Sequence, residues 1–102
     1  MHHKAEVDFV AKHIYEDQYP LTWENATLEA RSEARADART IVAARLVGQS
    51  EEEAAARLAT WLWVDNRMPH VPWAATPSPV KRLMRKKAKA GYSAFTRLVV
   101  PE

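Results

Sequence analysis

Glycine stands at only two of the 102 positions, Gly48 and Gly91, and each follows a stretch of helical periodicity. Alternating β-branched residues, the mark of half-buried strands, are nearly absent. The chain is therefore expected to be all-α, a small four- to five-helix bundle forming a single domain over residues 1–102. With 47% apolar residues it can bury a modest core without staples. The absence of cysteine excludes disulfides, thiol chemistry and cysteine-bound zinc. The longest apolar run, Ala54 to Val64, is interrupted by Arg57 and is too short to span a bilayer. The opening Met-His-His-Lys-Ala-Glu lacks the character of a signal peptide, so the expected location is cytoplasmic, without membrane contact.

The division expected is a first helical hairpin over residues 5–47, a second over 51–91 and a tail over 92–102. In the first helix, Ala5 to Asp17, Val7, Val10, Ala11 and Ile14 share one face, and Tyr19-Pro20 stops it. The second helix starts near Thr22 or Asn25, either of which can cap it, and runs to Val47, with Gly48 ending it. Its apolar side holds Ala34, Ala38, Ile41 and Val42. Glu29, Glu33 and Asp37 form one row at four-residue spacing, and Arg31, Arg35 and Arg39 form another nearly opposite. Like charges in a row repel, so each row needs partners elsewhere.

Ser50-Glu51-Glu52-Glu53 reads as a capping box opening a third helix, Glu51 to Asn66. That helix is apolar on most sides, as expected for the core element. A linker with Pro69, Pro72 and Pro77 follows. Ser78 to Gly91 then reads as a complete helix, with Ser78 as cap, Pro79 at the first position and Gly91 as terminator. In the tail, the three-residue spacing of Tyr92, Phe95 and Leu98 favours a further helix over an extended strap.

Proline, tryptophan and Ala-Thr recur in the same order in Pro20 to Thr27 and in Pro72 to Thr76, each time between two helices. Two helix–loop–helix units, each plugged by its tryptophan, would produce this, as would chance in so short a match. The stretch Trp23-Glu24-Asn25-Ala26-Thr27, followed by Glu29-Ala30-Arg31 and Ala38-Arg39, resembles short uncharacterised helical proteins of actinobacteriophages and their hosts. The resemblance covers less than half of the chain. It implies a helical hairpin of mobile-element origin and brings no catalytic residues.

Charge is unevenly distributed. Residues 1–66 carry 7 Lys/Arg against 12 Asp/Glu, and residues 67–102 carry 8 against 1. In the basic helix, Val80, Leu83, Met84 and Ala88 share one side while Lys81, Arg82, Arg85, Lys86 and Lys89 share the other. Lys87 falls on the apolar side, with its stem along the core and its amine reaching out. The five outward cations suit phosphates. They equally suit internal pairing with Glu29, Glu33, Asp37 or Glu51 to Glu53, or the surface of an acidic protein.

Gln49 to Ala59 resembles the first helix of a helix-turn-helix, but the uninterrupted run through Trp63 and the prolines after it break that motif. Trp61 and Trp63 stand two apart and cannot face the same neighbour. One is a candidate exposed anchor for a partner, and Trp63 is the choice, against burial of both in the bundle or a homodimer. His13, Glu16 and Asp17 lie within one turn without a second histidine four residues on, which argues for a solvated or capping His13 rather than a metal ligand. No glycine-rich phosphate loop or nucleophile–base pattern stands out, so no catalytic residue, metal or cofactor is expected.

The expectation is a non-enzymatic accessory or regulatory protein, phage-encoded if the resemblance holds. It would contact DNA or RNA through Lys81, Arg82, Arg85, Lys86 and Lys89. The alternative is a protein-binding module or virion component that uses Trp63, Glu29, Glu33 and Asp37.

Overall fold

A computed structural model describes residues 3–67 and 70–99. Four α-helices follow one another: α1 (His3–Gln18), α2 (Leu28–Ala44), α3 (Glu51–Arg67) and α4 (Ser78–Val99). Short 3-10 turns at Trp23–Asn25 and Trp73–Ala75 precede α2 and α4. No strand occurs among the described residues. The all-α bundle expected from the sequence is the fold observed, with four α-helices among the described residues.

The core is made where the periodicity places it. Val10, Ala11 and Ile14 of α1 face Ala34, Ala38, Ile41 and Val42 of α2; α1 packs further on α4, which brings Met84, Ala88 and Phe95, and α2 packs on both α4 and α3, which brings Leu58, Ala59 and Leu62. Such side chains each contribute about 1.5–3 kcal/mol on burial, small alanines less. The alanines let the helix backbones approach closely.

Helix ends differ from the sequence expectation at four places. Thr27, not Thr22 or Asn25, caps α2; its hydroxyl accepts the Ala30 N–H at 3.1 Å. The Asn25 amide instead bonds the Thr22 hydroxyl at 3.0 Å within the 3-10 turn. Next, α2 ends at Ala44 because Arg45 takes the left-handed conformation at φ 50°. That conformation costs a non-glycine residue roughly 1–2 kcal/mol. Arg45 is held there by two bonds to the Glu6 carboxylate, at 3.0 and 3.2 Å, and by the face of Phe95, 5.6 Å from its guanidinium.

The third difference is the largest: α4 runs through Gly91 to Val99, so the tail is its last turns. Gly91 is not a terminator but a point of closest approach. A Cβ there would collide with Ile41 Cδ1 and lie within 3.1 Å of Ile14 Cδ1. Ser78 is not the cap either; the Pro77 carbonyl accepts the Val80 and Lys81 N–H groups at 3.1 Å. The N-cap half of the box at Ser50 forms: its hydroxyl accepts the Glu53 N–H at 3.2 Å, and the Glu53 carboxylate reaches back to that hydroxyl, accepting from it at 3.1 Å.

The two hairpins repeat one plan. Trp23 and Trp73 open equivalent turns, closed by Ala26 N–H on Trp23 and by Thr76 N–H on Trp73, both at 3.1 Å. Arg31 reaches back to the Glu24 carbonyl at 2.8 Å, and Lys81, fifty positions later, reaches back to the Ala74 carbonyl at 3.3 Å. Each cation also lies over its tryptophan, at 5.5 and 5.7 Å. The buried positions Ala34, Asp37, Ala38, Ile41 and Val42 of α2 are matched by Met84, Lys87, Ala88, Gly91 and Tyr92 of α4. Likewise Val10, Ala11 and Ile14 of α1 match Leu58, Ala59 and Leu62 of α3.

Equivalent residues also meet each other. Lys87 faces Asp37 at 3.7 Å, Gly91 receives Ile41, and Phe95 receives Arg45. A position that touches its own counterpart lies on a two-fold relation, so α2 and α4 cross at an approximate dyad. A homodimer of identical hairpins would place like against like at these three steps. Here each pair is complementary: acid with base, large with small, cation with aromatic.

Candidate nucleic-acid interface

The site grows from the amphipathicity of α4. Met84, Lys87, Ala88, Gly91, Tyr92, Ala94 and Phe95 turn inward. Arg82, Arg85, Lys86, Lys89 and Arg97 are thereby left on the outward side, all exposed. Tyr92 anchors the middle of the helix by donating its hydroxyl to the Gln49 carbonyl at 3.1 Å.

The five cations expected to act together divide into two groups. Arg82, Arg85 and Lys86 make no ion pair with any described residue. Lys89 is engaged, its amine 3.0 Å from Glu52 and 4.0 Å from Glu51, and these contacts hold its pKa above the ordinary lysine value. Lys81 is half-buried and committed to the Ala74 carbonyl and the Trp73 ring. The open patch is thus narrower than the sequence implied, and Arg97 lies on the same side farther along.

Lys87 reverses its expectation. It is 6% exposed, and its amine reaches across the bundle to Glu33 at 2.9 Å rather than out to water. Beneath it Asp37 is fully buried. Arg67 Nη1 donates to Asp37 Oδ1 at 2.8 Å, Arg67 Nη2 to Oδ2 at 3.0 Å, and the Asn66 amide to Oδ1 at 3.0 Å. Arg67 also bonds Glu33 at 3.0 Å. The hydrogen bond from Lys87 is the chief reason that the Glu33 carboxyl is held below its ordinary pKa, with Arg67 adding to it and partial burial opposing. Burial alone would lower Arg67, but Asp37 and then Glu33 raise it on balance.

The row proposed as a partner-binding edge therefore comes apart. Glu29 remains exposed and makes no ion pair with a described residue. Asp37 is buried and needs cations beside it, and Glu33, exposed at the surface above, joins the same network through Lys87 and Arg67. Trp63 is not the exposed tryptophan of α3. It is half-buried at the edge of the core, and its indole N–H donates to the Val71 carbonyl at 3.0 Å. Trp61 is the exposed one, with Arg57 5.9 Å from its ring and Val64 exposed one turn on. The difference follows from phase: Trp63 stands one turn from buried Ala59, and Trp61 one turn from exposed Arg57.

Two shallow clefts flank the Lys86–Lys89 ridge. One, about 540 Å³, lies toward α1, with His13, Glu16 and Asp17 opposite Lys86, Lys89 and Arg97. There the His13 ring nitrogen Nδ1 is 2.9 Å from the Phe9 carbonyl, and Glu16 accepts the Trp23 backbone N–H at 2.9 Å. The other, about 370 Å³, lies toward α3 and includes Glu52, Ala55, Ala56 and Arg85. Among the described residues no group of three or more His, Asp or Glu side chains is placed to hold a metal ion. None of their helices is long and apolar enough to cross a membrane.

Sequence reasoning missed Arg67 and Asn66 as the partners of Asp37, and Arg97 as an extension of the basic side. The sequence places Arg67 at the start of the linker, just past Asn66; the structure includes it in the last turn of α3, and its reach to α2 depends on how the helices pack. Comparison with known protein families, with curated proteins and with solved structures gives no match.

Proposed function

We propose that this is a small non-enzymatic accessory protein that binds nucleic acid through the outward side of α4. One observation carries this reading. Arg82, Arg85 and Lys86 stand together in solvent without acidic partners among the described residues, while Lys81, Lys87 and Lys89 of the same helix are committed to carbonyl or carboxylate groups. Unpaired cations one turn apart on a rigid helix fit the phosphate spacing of a backbone, and guanidinium groups suit phosphate oxygens. The contacts would be mainly electrostatic and indifferent to base sequence. Mobile-element origin, as the first hairpin's resemblance implies, is compatible with such a role.

The test is fluorescence anisotropy with labelled DNA and RNA oligonucleotides over a salt series. About three phosphate contacts give log K falling against log salt with a slope near −2.7 on duplex DNA. Changing Arg82, Arg85 and Lys86 together to Glu should abolish binding. No detectable binding at low salt in the unaltered protein would end this reading.

A second reading rests on Trp61. An exposed tryptophan beside Arg57 and Val64 has the composition of an interface hot spot. On that reading the chain is a protein-binding module, and Trp61→Ala would remove partner capture without altering nucleic-acid affinity.

A further inference from the structure

The two hairpins offer an internal comparison at the α3–α4 cleft. Its counterpart in the first hairpin lies between α1 and α2, about 250 Å³, lined by Lys4, Val7, Asp8 and Arg39. Under the repeat, Asp8 corresponds to Ala56, Arg35 to Arg85, and Ala36 to Lys86. In the first hairpin Arg35 Nε donates to Asp8 Oδ1 at 2.9 Å. In the second, Ala56 supplies no carboxylate, and Arg85 lines an open cleft of about 370 Å³.

We propose that the α3–α4 cleft binds a phosphate group in the place that the Asp8 carboxylate fills in the first hairpin. Arg85 supplies the guanidinium fork. A single carboxylate needs one such partner, as Arg35 shows. The second hairpin adds Lys86 beside Arg85, and two adjacent cations suit a phosphate rather than a carboxylate. The small side chains of Ala55 and Ala56 leave room for the group to approach. Glu52 lines the same cleft, and Lys89 pairs with it at 3.0 Å, so it does not hold Arg85. The inference rests on the nucleic-acid reading in taking the phosphate to be that of a polynucleotide, and it names the position at which the chain is gripped.

The repeat supplies the experiment. Ala56→Asp recreates the internal carboxylate and should plug the site without altering any cation. Ala43→Asp, the same charge change on an exposed position of α2, is the control. The intact chain and both variants are titrated with inorganic phosphate while the arginine Nε–H signals are followed by NMR, and with an oligonucleotide by anisotropy. Circular dichroism checks that each variant keeps its helices. The expected result is that phosphate shifts the Arg85 signal in the unaltered chain and in Ala43→Asp, with at least tenfold weaker binding in Ala56→Asp. Oligonucleotide affinity should fall several-fold more in Ala56→Asp than in the control. Phosphate binding at Arg85 without oligonucleotide binding would uphold the site and remove the nucleic-acid reading. Oligonucleotide binding equal in Ala56→Asp and the control, with no phosphate shift at Arg85, would overturn the site and leave that reading standing. A shift of Arg85 by acetate or a glutamate-rich peptide but not by phosphate would overturn it in favour of an acidic protein partner.

Discussion

Asp37 and Lys87 hold equivalent positions in the two hairpins and face each other at 3.7 Å across the dyad that relates them. The pair is not symmetric in its support. Asp37 is fully buried and takes two bonds from Arg67, at 2.8 and 3.0 Å, whereas Lys87 directs its shorter contact to Glu33 at 2.9 Å. Removing the carboxylate leaves Arg67 and Lys87 to share Glu33 alone, and breaking a buried pair in this way costs about 3–5 kcal/mol. Asp37→Ala should lose that much in urea denaturation. Lys87→Met keeps its apolar stem and leaves Asp37 with Arg67, so it should lose less than half as much. Equal losses would mean that Lys87, not Arg67, is the main support of Asp37.

Gly91 sits mid-helix, where alanine normally adds about 1 kcal/mol of helix stability. Here a Cβ would collide with Ile41 Cδ1. Overpacking of this kind costs about 1–3 kcal/mol. Gly91→Ala should therefore destabilise on balance, and Ile41→Val, which removes the clashing methyl, should rescue it. A double-mutant cycle by thermal denaturation checks the coupling; additive effects would show that the Ile41 contact is not what requires glycine.

These two sites also mark where the sequence stopped being legible. Helical periodicity placed the inward faces of α1 and α2, because Val10, Ala11, Ile14, Ala34, Ala38 and Ile41 repeat at the turn of a helix whatever they pack against, whereas α3, apolar on most sides, offered no single face. Gly91 reads the same whether it ends a helix or admits a neighbour; only Ile41, fifty positions earlier, decides. The acidic row misled for a geometric reason. A step of four residues advances about 40° round the helix, so the row drifts about 80° between Glu29 and Asp37, from solvent into the core. Of the basic side, the residues were legible but their freedom was not. Whether Arg85 or Lys89 is open depends on the presence of Glu52 and the absence of an acid at Ala56, both on another helix.

Stability should respond to acid through Glu33. Its carboxyl titrates below the ordinary value of 4.5 in the folded chain, chiefly because Lys87 bonds the ionised form. The ionised form therefore favours folding. Its contribution is complete above the ordinary value and fades as pH falls through the lower folded value. The side chain is 59% exposed, so screening limits the effect to under about 1 kcal/mol. Glu33→Gln should lower stability by that small amount at neutral pH and flatten the acid limb, measured as unfolding free energy against pH from 7 down to about 3. An unchanged acid limb would assign the pH response to other carboxylates.

The engagement of Lys89 makes a prediction of opposite sign for binding. Glu52 and Glu51 lie 3.0 and 4.0 Å from its amine, on the flank of the open cations Arg85 and Lys86. Changing both to Gln frees Lys89 and removes two negative charges from the approach of a polyanion. The first turn of α3 loses favourable interactions with the helix dipole, about 0.3–1 kcal/mol for each charge, which the fold can tolerate. Oligonucleotide affinity at low salt should rise about three- to tenfold, with a steeper salt dependence by nearly one unit of slope for the added phosphate contact. The gain should vanish near 1 M salt, where exposed charges are screened within about 3 Å. Anisotropy titrations of the double variant at several salt concentrations measure both effects. Unchanged affinity with unchanged slope would place the nucleic-acid path away from Lys89, and a loss of affinity would show that the acids themselves contact the partner.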